Sequence, residues 1–360
     1  MLKSRLCIAF FAFAVGCAPA QKPLTDYVNP MLGTATLWDS VDLGFKPTKR
    51  TRGAEVFPGS SLPNAMVQVS PVTKFHSGAG YQYEDSVIYG FTHTNKGHWN
   101  LCHIPLLPVT GTPTPGDYCS PFSHERESAA PGYYQVFLDR YGVDAQLSST
   151  LRCAFHKYTY PAGAAPAVLA DLQRSNEHVR AWDIRKEGDN VFAGWQQTGE
   201  KMYFYAVANR PVTGIEPVVE GDREVRIVRF GEGDGALELR IGFSFVSEKN
   251  ARENFEAEML GKSFAEVRSE ATATWNDLLG RIRVEGGTER EKGLFYSSLY
   301  RSFLWPALRS DVNGEFTDVD GKVINPGFRY YTGPSYWDDY RNKLILLGML
   351  APDVAADVIS

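Results

Sequence analysis

The sequence predicts a multidomain β + α protein: an N-terminal antiparallel β-sandwich, a helical linker and the opening of a larger helical domain. Three observations predict it. Residues 25 to 250 form short β-branched and aromatic runs broken by Gly, Pro and Asn. Near residue 250 the apolar period changes from two to about 3.6. Helix-start signals then recur at Ser263 and Thr288. With 43% hydrophobic and 13% aromatic residues, a chain of 360 can fill two cores, which excludes a disordered protein. The net charge of −5 leaves no basic field for nucleic acid or an anionic membrane.

The first twenty residues read as an export signal, with Lys3 and Arg5 ahead of an apolar run from Leu6 to Val15. That run is too short to span a bilayer. Ala18-Pro19-Ala20 offers a cleavage site, whereas Ala14-Val15-Gly16-Cys17 resembles a bacterial lipobox whose Cys would carry lipid. Both endings place the protein in the bacterial periplasm or at the cell surface, with a lipid anchor at Cys17 in the second case. Among Cys102, Cys119 and Cys153 one disulfide is open, and no C-x-x-C spacing points to zinc or redox work.

Within the strand region, Tyr133 to Leu138, Leu147 to Cys153 and His156 to Tyr160 suggest a meander. Val179 to Arg185 and Val191 to Gln196 flank the hairpin signal Glu187-Gly188-Asp189-Asn190. Val225 to Phe230 and Ala236 to Phe245 repeat that pattern around Gly231 to Gly235. So many strands need two packed faces, and a sandwich over 25–250 provides them.

The linker, residues 251–287, contains the capping box Ser263-Phe264-Ala265-Glu266, and Phe264, Val267, Ala271, Trp275 and Leu278 fall on one helical face. From 288 to 360 a helical domain begins. Thr288 and Glu291 open a helix whose aromatic stretch Phe295, Tyr296, Tyr300, Phe303 and Trp305 ends at Pro306. A third helix starts around Ser335 and carries Trp337, Leu344 and Leu347; a fourth starts at Pro352-Asp353. It reads as cut after two turns, too short to bury an apolar face alone, so the helical domain is expected to be incomplete.

Several stretches resemble one family in order along the chain. They include Phe57-Pro58-Gly59, Pro63-Asn64-Ala65-Met66, Gly80-Tyr81-Gln82-Tyr83, Ile88 to Thr94, His124-Glu125-Arg126-Glu127 and Pro131 to Val136. Asp311-Val312-Asn313-Gly314 and Ser335-Tyr336-Trp337-Asp338-Asp339-Tyr340-Arg341 continue the set. Together they are similar to glycoside hydrolase family 92, calcium-dependent exo-acting α-mannosidases. The resemblance implies a β-sandwich packed on an (α/α)6 barrel, here truncated, with the active site at their contact. It also implies release of terminal α-linked mannose from mannosides or N-glycans by inversion, with calcium as cofactor. Such chemistry needs two carboxyl groups spaced to admit a water. In the family these groups and the calcium ligands come later in the helical domain. No catalytic residue is therefore assigned in this chain, its metal ligands are left unknown, and alone it is expected to be inactive.

Trp337 and Asp338 match the family's Trp-Asp pair in the terminal mannose subsite, while Arg341 lies one turn beyond Trp337, where it could orient Asp338. Helix-start chemistry alone would also explain Asp338. In the polar stretch His93 to His103, relatives carry a Ser-Gly-Thr-Gly type sequence; Asn95 to Asn100 departs from it, and linkage preference does not transfer. Trp99 is the candidate to stack on the next sugar, with His98 beside it, against ordinary core packing. His93, His98 and His103 recur every five residues, but odd spacing on a strand alternates their faces and denies them a common ion. Asp311-Val312-Asn313-Gly314 departs from a calcium loop in its Gly position and reads as a turn. The competing functions are a non-catalytic carbohydrate-binding module, an inactive fragment of the family and a structural surface lipoprotein.

Overall fold

Two antiparallel sheets stack face to face: burial alternates along strands such as Lys201–Ala208, whereas Gln68–Val72, Leu106–Val109 and Ala167–Ala170 are buried at every position. The computed structural model describes residues 22–37, 44–45, 54, 56–94, 101–332 and 336–360. One sheet has seven strands in the spatial order Ser60–Ser61, Gln68–Val72, Gly90–Thr92, Leu106–Val109, Ala167–Ala170, Arg223–Phe230 and Val212–Glu220. The other has eight, in the order Ala181–Lys186, Val191–Gln197, Lys201–Ala208, Leu237–Ser244, Cys153–Thr159, Val143–Ser149, Tyr133–Leu138 and Glu127–Ala130. Val69, Leu107, Leu169 and Ile227 from the first meet Leu147, Phe192, Phe204 and Ile241 from the second in one buried core. At ~25 cal/mol per Å² of apolar surface removed from water, this core is the main source of cohesion.

The meander and the hairpin at 187–190 form as expected, with two corrections to strand placement. The middle strand of the meander starts at Val143 and ends at Ser149, because Val143, Ala145 and Leu147 alternate inward and Thr150 turns back onto the Cys153 carbonyl. Arg223–Phe230 and Leu237–Ser244 do not form a hairpin: they belong to different sheets. Arg223–Phe230 pairs with Val212–Glu220 through the turn at Gly221, so residues 231–235 cross from one sheet to the other. Cys102, Cys119 and Cys153 are all free thiols, so the disulfide left open by the sequence does not form among them.

Helix α1 (Glu248–Glu258) lies on the outer face of the eight-stranded sheet, capped by Ser247. It comes so close that a Cβ on Gly242 would stand 2.2 Å from the Ala251 carbonyl oxygen. Only glycine fits there. Helix α2 (Phe264–Leu279) starts with the capping box, Ser263 accepting from the Glu266 N–H and Glu266 from the Ser263 N–H. All five residues of its predicted apolar face are buried. Phe264 and Val267 cover the sheet beside Phe155, whereas Trp275 and Leu278 turn to helix α3 (Glu289–Ser302). Thr288 and Glu291 form the second capping box. The segment Leu24–Tyr27 also packs on the helices: Thr25 and Asn29 donate N–H groups to Asn276 and Ser297, and Tyr27 meets Tyr296.

The third predicted helix is divided into α4 (Tyr336–Asp339) and α5 (Lys343–Leu350), so Trp337 is not on the helix that carries Leu344 and Leu347. Asp338, Asp339, Tyr340 and Asn342 are weak helix formers, which accounts for the break. Helix α6 (Pro352–Ile359) begins at the expected proline.

Candidate active site

Residues 303–332 run from α3 over one end of the sandwich and make a polar junction with it. Gln68 donates Nε2 to the Leu304 carbonyl at 2.7 Å, Asn64 donates Nδ2 to that of Pro306 at 2.8 Å, and the Leu308 N–H returns to Asn64. Thr332, the last described residue before α4, donates its N–H to Ala307.

The two described ends of the segment 93–103 lie here too, joined by the His93 N–H to the His103 carbonyl. His103 is fully buried; its Nδ1 is 2.9 Å from Thr94 Oγ1 and its Nε2 2.9 Å from Thr198 Oγ1, which donates on to Glu177. Burial, then the nearby Arg309 guanidinium, lowers the His103 pKa to about 4. His93 reaches a different partner, the Nε2 of His156 at 2.9 Å, and burial lowers its pKa to about 3. The two rings are thus neutral and serve separate networks.

Arg309 is 6% exposed, and its guanidinium lies over Phe245 at 4.0 Å with Nη2 3.5 Å from Glu200 Oε2. Its Nε, together with Gln68 Oε1, His93 Nδ1 and Thr332 Oγ1, finds no partner among the described residues. Buried polar atoms left unpaired cost ~1–3 kcal/mol each.

Of the residues selected from the sequence, Trp337 stands on α4 with 85% of its surface exposed. Asp338 is on the same helix, its side chain outside the described residues. Arg341 donates Nε to Tyr340 Oη at 2.9 Å and covers that ring, so its recorded partner is Tyr340. His98 and Trp99, like Cys17 and the leader, lie outside the described residues. Sequence reading missed Arg309, Glu200 and Glu177. Arg309 and Glu200 are 109 positions apart, and neither lies in a motif that would signal the pairing.

Asp311 has a pKa raised to about 6 by burial. It nevertheless holds structure: its oxygens accept from Ser244, Asn250 and Asn254 at 2.6, 2.9 and 2.7 Å. The stretch Asp311 to Gly314 is the turn expected, closed by the Asp311 N–H to the Glu315 carbonyl. Among the described residues no group of three His, Cys, Asp or Glu could hold a metal ion. They therefore do not fit a calcium site, and the two carboxylates at the junction are engaged by Arg309 and Thr198. The arrangement can orient a polar ligand.

Residues 27–252 match the glycosyl hydrolase family 92 N-terminal domain, and residues 250–360 match its catalytic domain. The chain belongs to glycosyl hydrolase family 92. An uncharacterized secreted glycosidase from Arthroderma benhamiae is 25% identical to this family 92 chain, over 80% of the chain and 42% of the relative. A family 92 α-mannosidase of Bacteroides thetaiotaomicron has the same fold with a TM-score of 0.84 and 27% identity, over 94% of this chain and 48% of its own. That mannosidase is also known in complex with mannoimidazole. An inverting family 92 mannosidase of the same bacterium superposes with a TM-score of 0.79 and 26% identity, over 92% of this chain and 47% of its own. This chain spans about half the length of these relatives. Its two sheets and its helices are those of family 92.

Proposed function

We infer that the protein is a glycosidase of the α-mannosidase type, acting on terminal α-linked mannose of mannosides or N-glycans. The observation that carries this reading is the likeness to a family 92 α-mannosidase across 94% of the chain. In this reading the polar junction is the sandwich side of the sugar cleft. The exposed indole of Trp337 packs on the C–H face of the terminal mannose, and Asp338 accepts hydroxyl hydrogen bonds. His98 and Trp99 are assigned to the next sugar, and Arg341 to orienting Asp338.

Hydrolysis proceeds with inversion: one carboxyl group protonates the leaving oxygen while a second, ~6.5–9.5 Å away, activates water on the opposite face. We assign that pair, and the ligands of the calcium ion, to the portion of the family fold that this chain does not span. Calcium, when bound, would supply a hard ion able to hold sugar hydroxyls. No helix among the described residues is long and apolar enough to cross a membrane. The leader, and the secreted nature of the fungal relative, support export.

The test is kinetic, on the full-length protein. Trp337→Ala and Asp338→Asn are each expected to lower kcat/KM on α-mannobiosides by about a hundredfold, ~2.7 kcal/mol. Parent-like values in both variants would remove α4 from the sugar site.

A further inference from the structure

The connection between Ala167–Ala170 and Ala181–Lys186 has no helix or strand of its own, yet buried polar groups hold it throughout. Gln196, fully buried, donates Nε2 to the carbonyls of Leu172 and Arg174 at 2.9 Å. The Asn176 N–H and the Ser175 hydroxyl both reach the Leu101 carbonyl. Satisfied networks of this kind rigidify the loop that they hold. The loop forms one wall of a groove of about 710 Å³, and the turn at Asp222 and Arg223 forms another.

Three side chains of the groove are oriented before anything binds. The Arg174 guanidinium lies over Phe75 at 4.6 Å and Tyr89 at 5.0 Å, with Nη1 on Tyr118 Oη at 3.2 Å. Arg223 is fixed by Asp171, at 2.6 Å, and by the Pro115 carbonyl. His76 has a left-handed backbone, φ 59°, uncommon for a residue other than glycine; its N–H donates to Asn176 Oδ1 at 2.6 Å and its Nδ1 lies 3.2 Å from the Asn176 carbonyl oxygen. Strain of this sort persists where the surroundings over-determine it, and it gathers at functional sites.

The polar groups decide which ligand fits. Arg174, Arg180 and Arg223 are balanced by Glu177 and Asp222 on the groove and by Asp171 beneath it, and Trp182, half-buried against the core with the Arg226 guanidinium 5.3 Å over its ring, adds an aromatic edge. Carboxylates beside the guanidiniums offset their pull on an anion. A sugar offers every hydroxyl as donor and acceptor at once and has an apolar face, so it calls for this mixed set. We propose that the groove binds a stretch of neutral oligosaccharide. Glu177 accepts from Thr198, which meets His103, and the loop is tied to Leu101, so the groove adjoins the junction. Resting on the glycosidase reading, this makes the substrate class an extended α-mannan-type oligosaccharide whose inner residues lie along the sandwich.

The experiment is calorimetric titration of the full-length protein and its Arg180→Ala and Trp182→Ala variants with a non-hydrolysable, thio-linked linear α-mannotetraose, mannose and inorganic phosphate. Circular dichroism establishes that the variants fold. Mannotetraose is expected to bind more tightly than mannose, and each variant to weaken it by about tenfold, ~1.4 kcal/mol. Two results would overturn the proposal: tetraose affinity unchanged in both variants, or tetraose displaced by phosphate. Turnover of an aryl α-mannoside is followed separately. Tetraose binding without turnover keeps the groove and rejects the glycosidase reading, whereas turnover with no variant effect rejects the groove alone.

Discussion

Trp275 and Ser61 are 214 residues apart, and the indole N–H of the first donates to the carbonyl of the second across 2.7 Å. Both are fully buried. The bond ties helix α2 to the edge strand of the seven-stranded sheet, so helices and sandwich pack as one unit at this point. Trp275→Phe leaves the Ser61 carbonyl without that donor and is expected to cost ~1–3 kcal/mol. Trp275→Ala adds a cavity, for a total of ~3–5 kcal/mol. Urea unfolding measures both, and a Trp275→Phe protein as stable as the parent would mean the bond is dispensable.

The paired rings of His93 and His156 predict acid sensitivity. Their Nε2 atoms are 2.9 Å apart, and His156 Nδ1 is 2.6 Å from Tyr158 Oη. Burial lowers His93 to about 3, His103 to about 4 and His156 well below its ordinary value. An unfolded chain takes up these protons near pH 6.5, before the native one. Their stabilisation is therefore complete above ~6.5 and lost as pH falls toward 4 and 3. His156→Gln should flatten the slope of urea midpoint against pH over this range; an unaltered slope contradicts the assignment.

Asp311 has the opposite sign. Its native pKa of about 6 exceeds the ordinary 3.8, so the native state holds this proton more firmly, and the contribution present below about pH 4 is lost as pH rises through 6. Asp311→Asn removes that dependence but presents an NH2 group where Asn250 or Asn254 donates. A loss of ~1–3 kcal/mol at pH 7 is expected by urea unfolding. Unchanged stability would show that the turn holds without the carboxylate.

Arg309 lowers the pKa of its buried neighbour His103. Arg309→Met keeps much of the packing over Phe245 and removes the charge, so His103 should titrate at higher pH than in the parent. Histidine NMR titration reads this directly. An unshifted His103 would place Arg309 outside its electrostatic reach.

Much of the fold was legible because it is periodic. The alternation in Tyr133–Leu138 and the Ser263 and Thr288 capping boxes are local signals, and each formed as read. Sheet order was not legible. The Gly-rich link 231–235 looks the same whether it returns to its own sheet or crosses to the other, and only the pairing of Arg223–Phe230 with Val212–Glu220 decides. Trp337 and Asp338 came from a family resemblance, and Arg309, at the junction, from neither motif nor period. The contacts of Arg309 to Glu200 and Phe245 are made only by folding, so no window of sequence contains them.

The central claim is best tested by following α-mannobioside in the presence of the full-length protein and calcium by proton NMR. The account predicts release of free mannose that appears first as the β-anomer, with turnover abolished by a chelator. No mannose from any α-linked mannobioside, or mannose appearing first as the α-anomer, would contradict it.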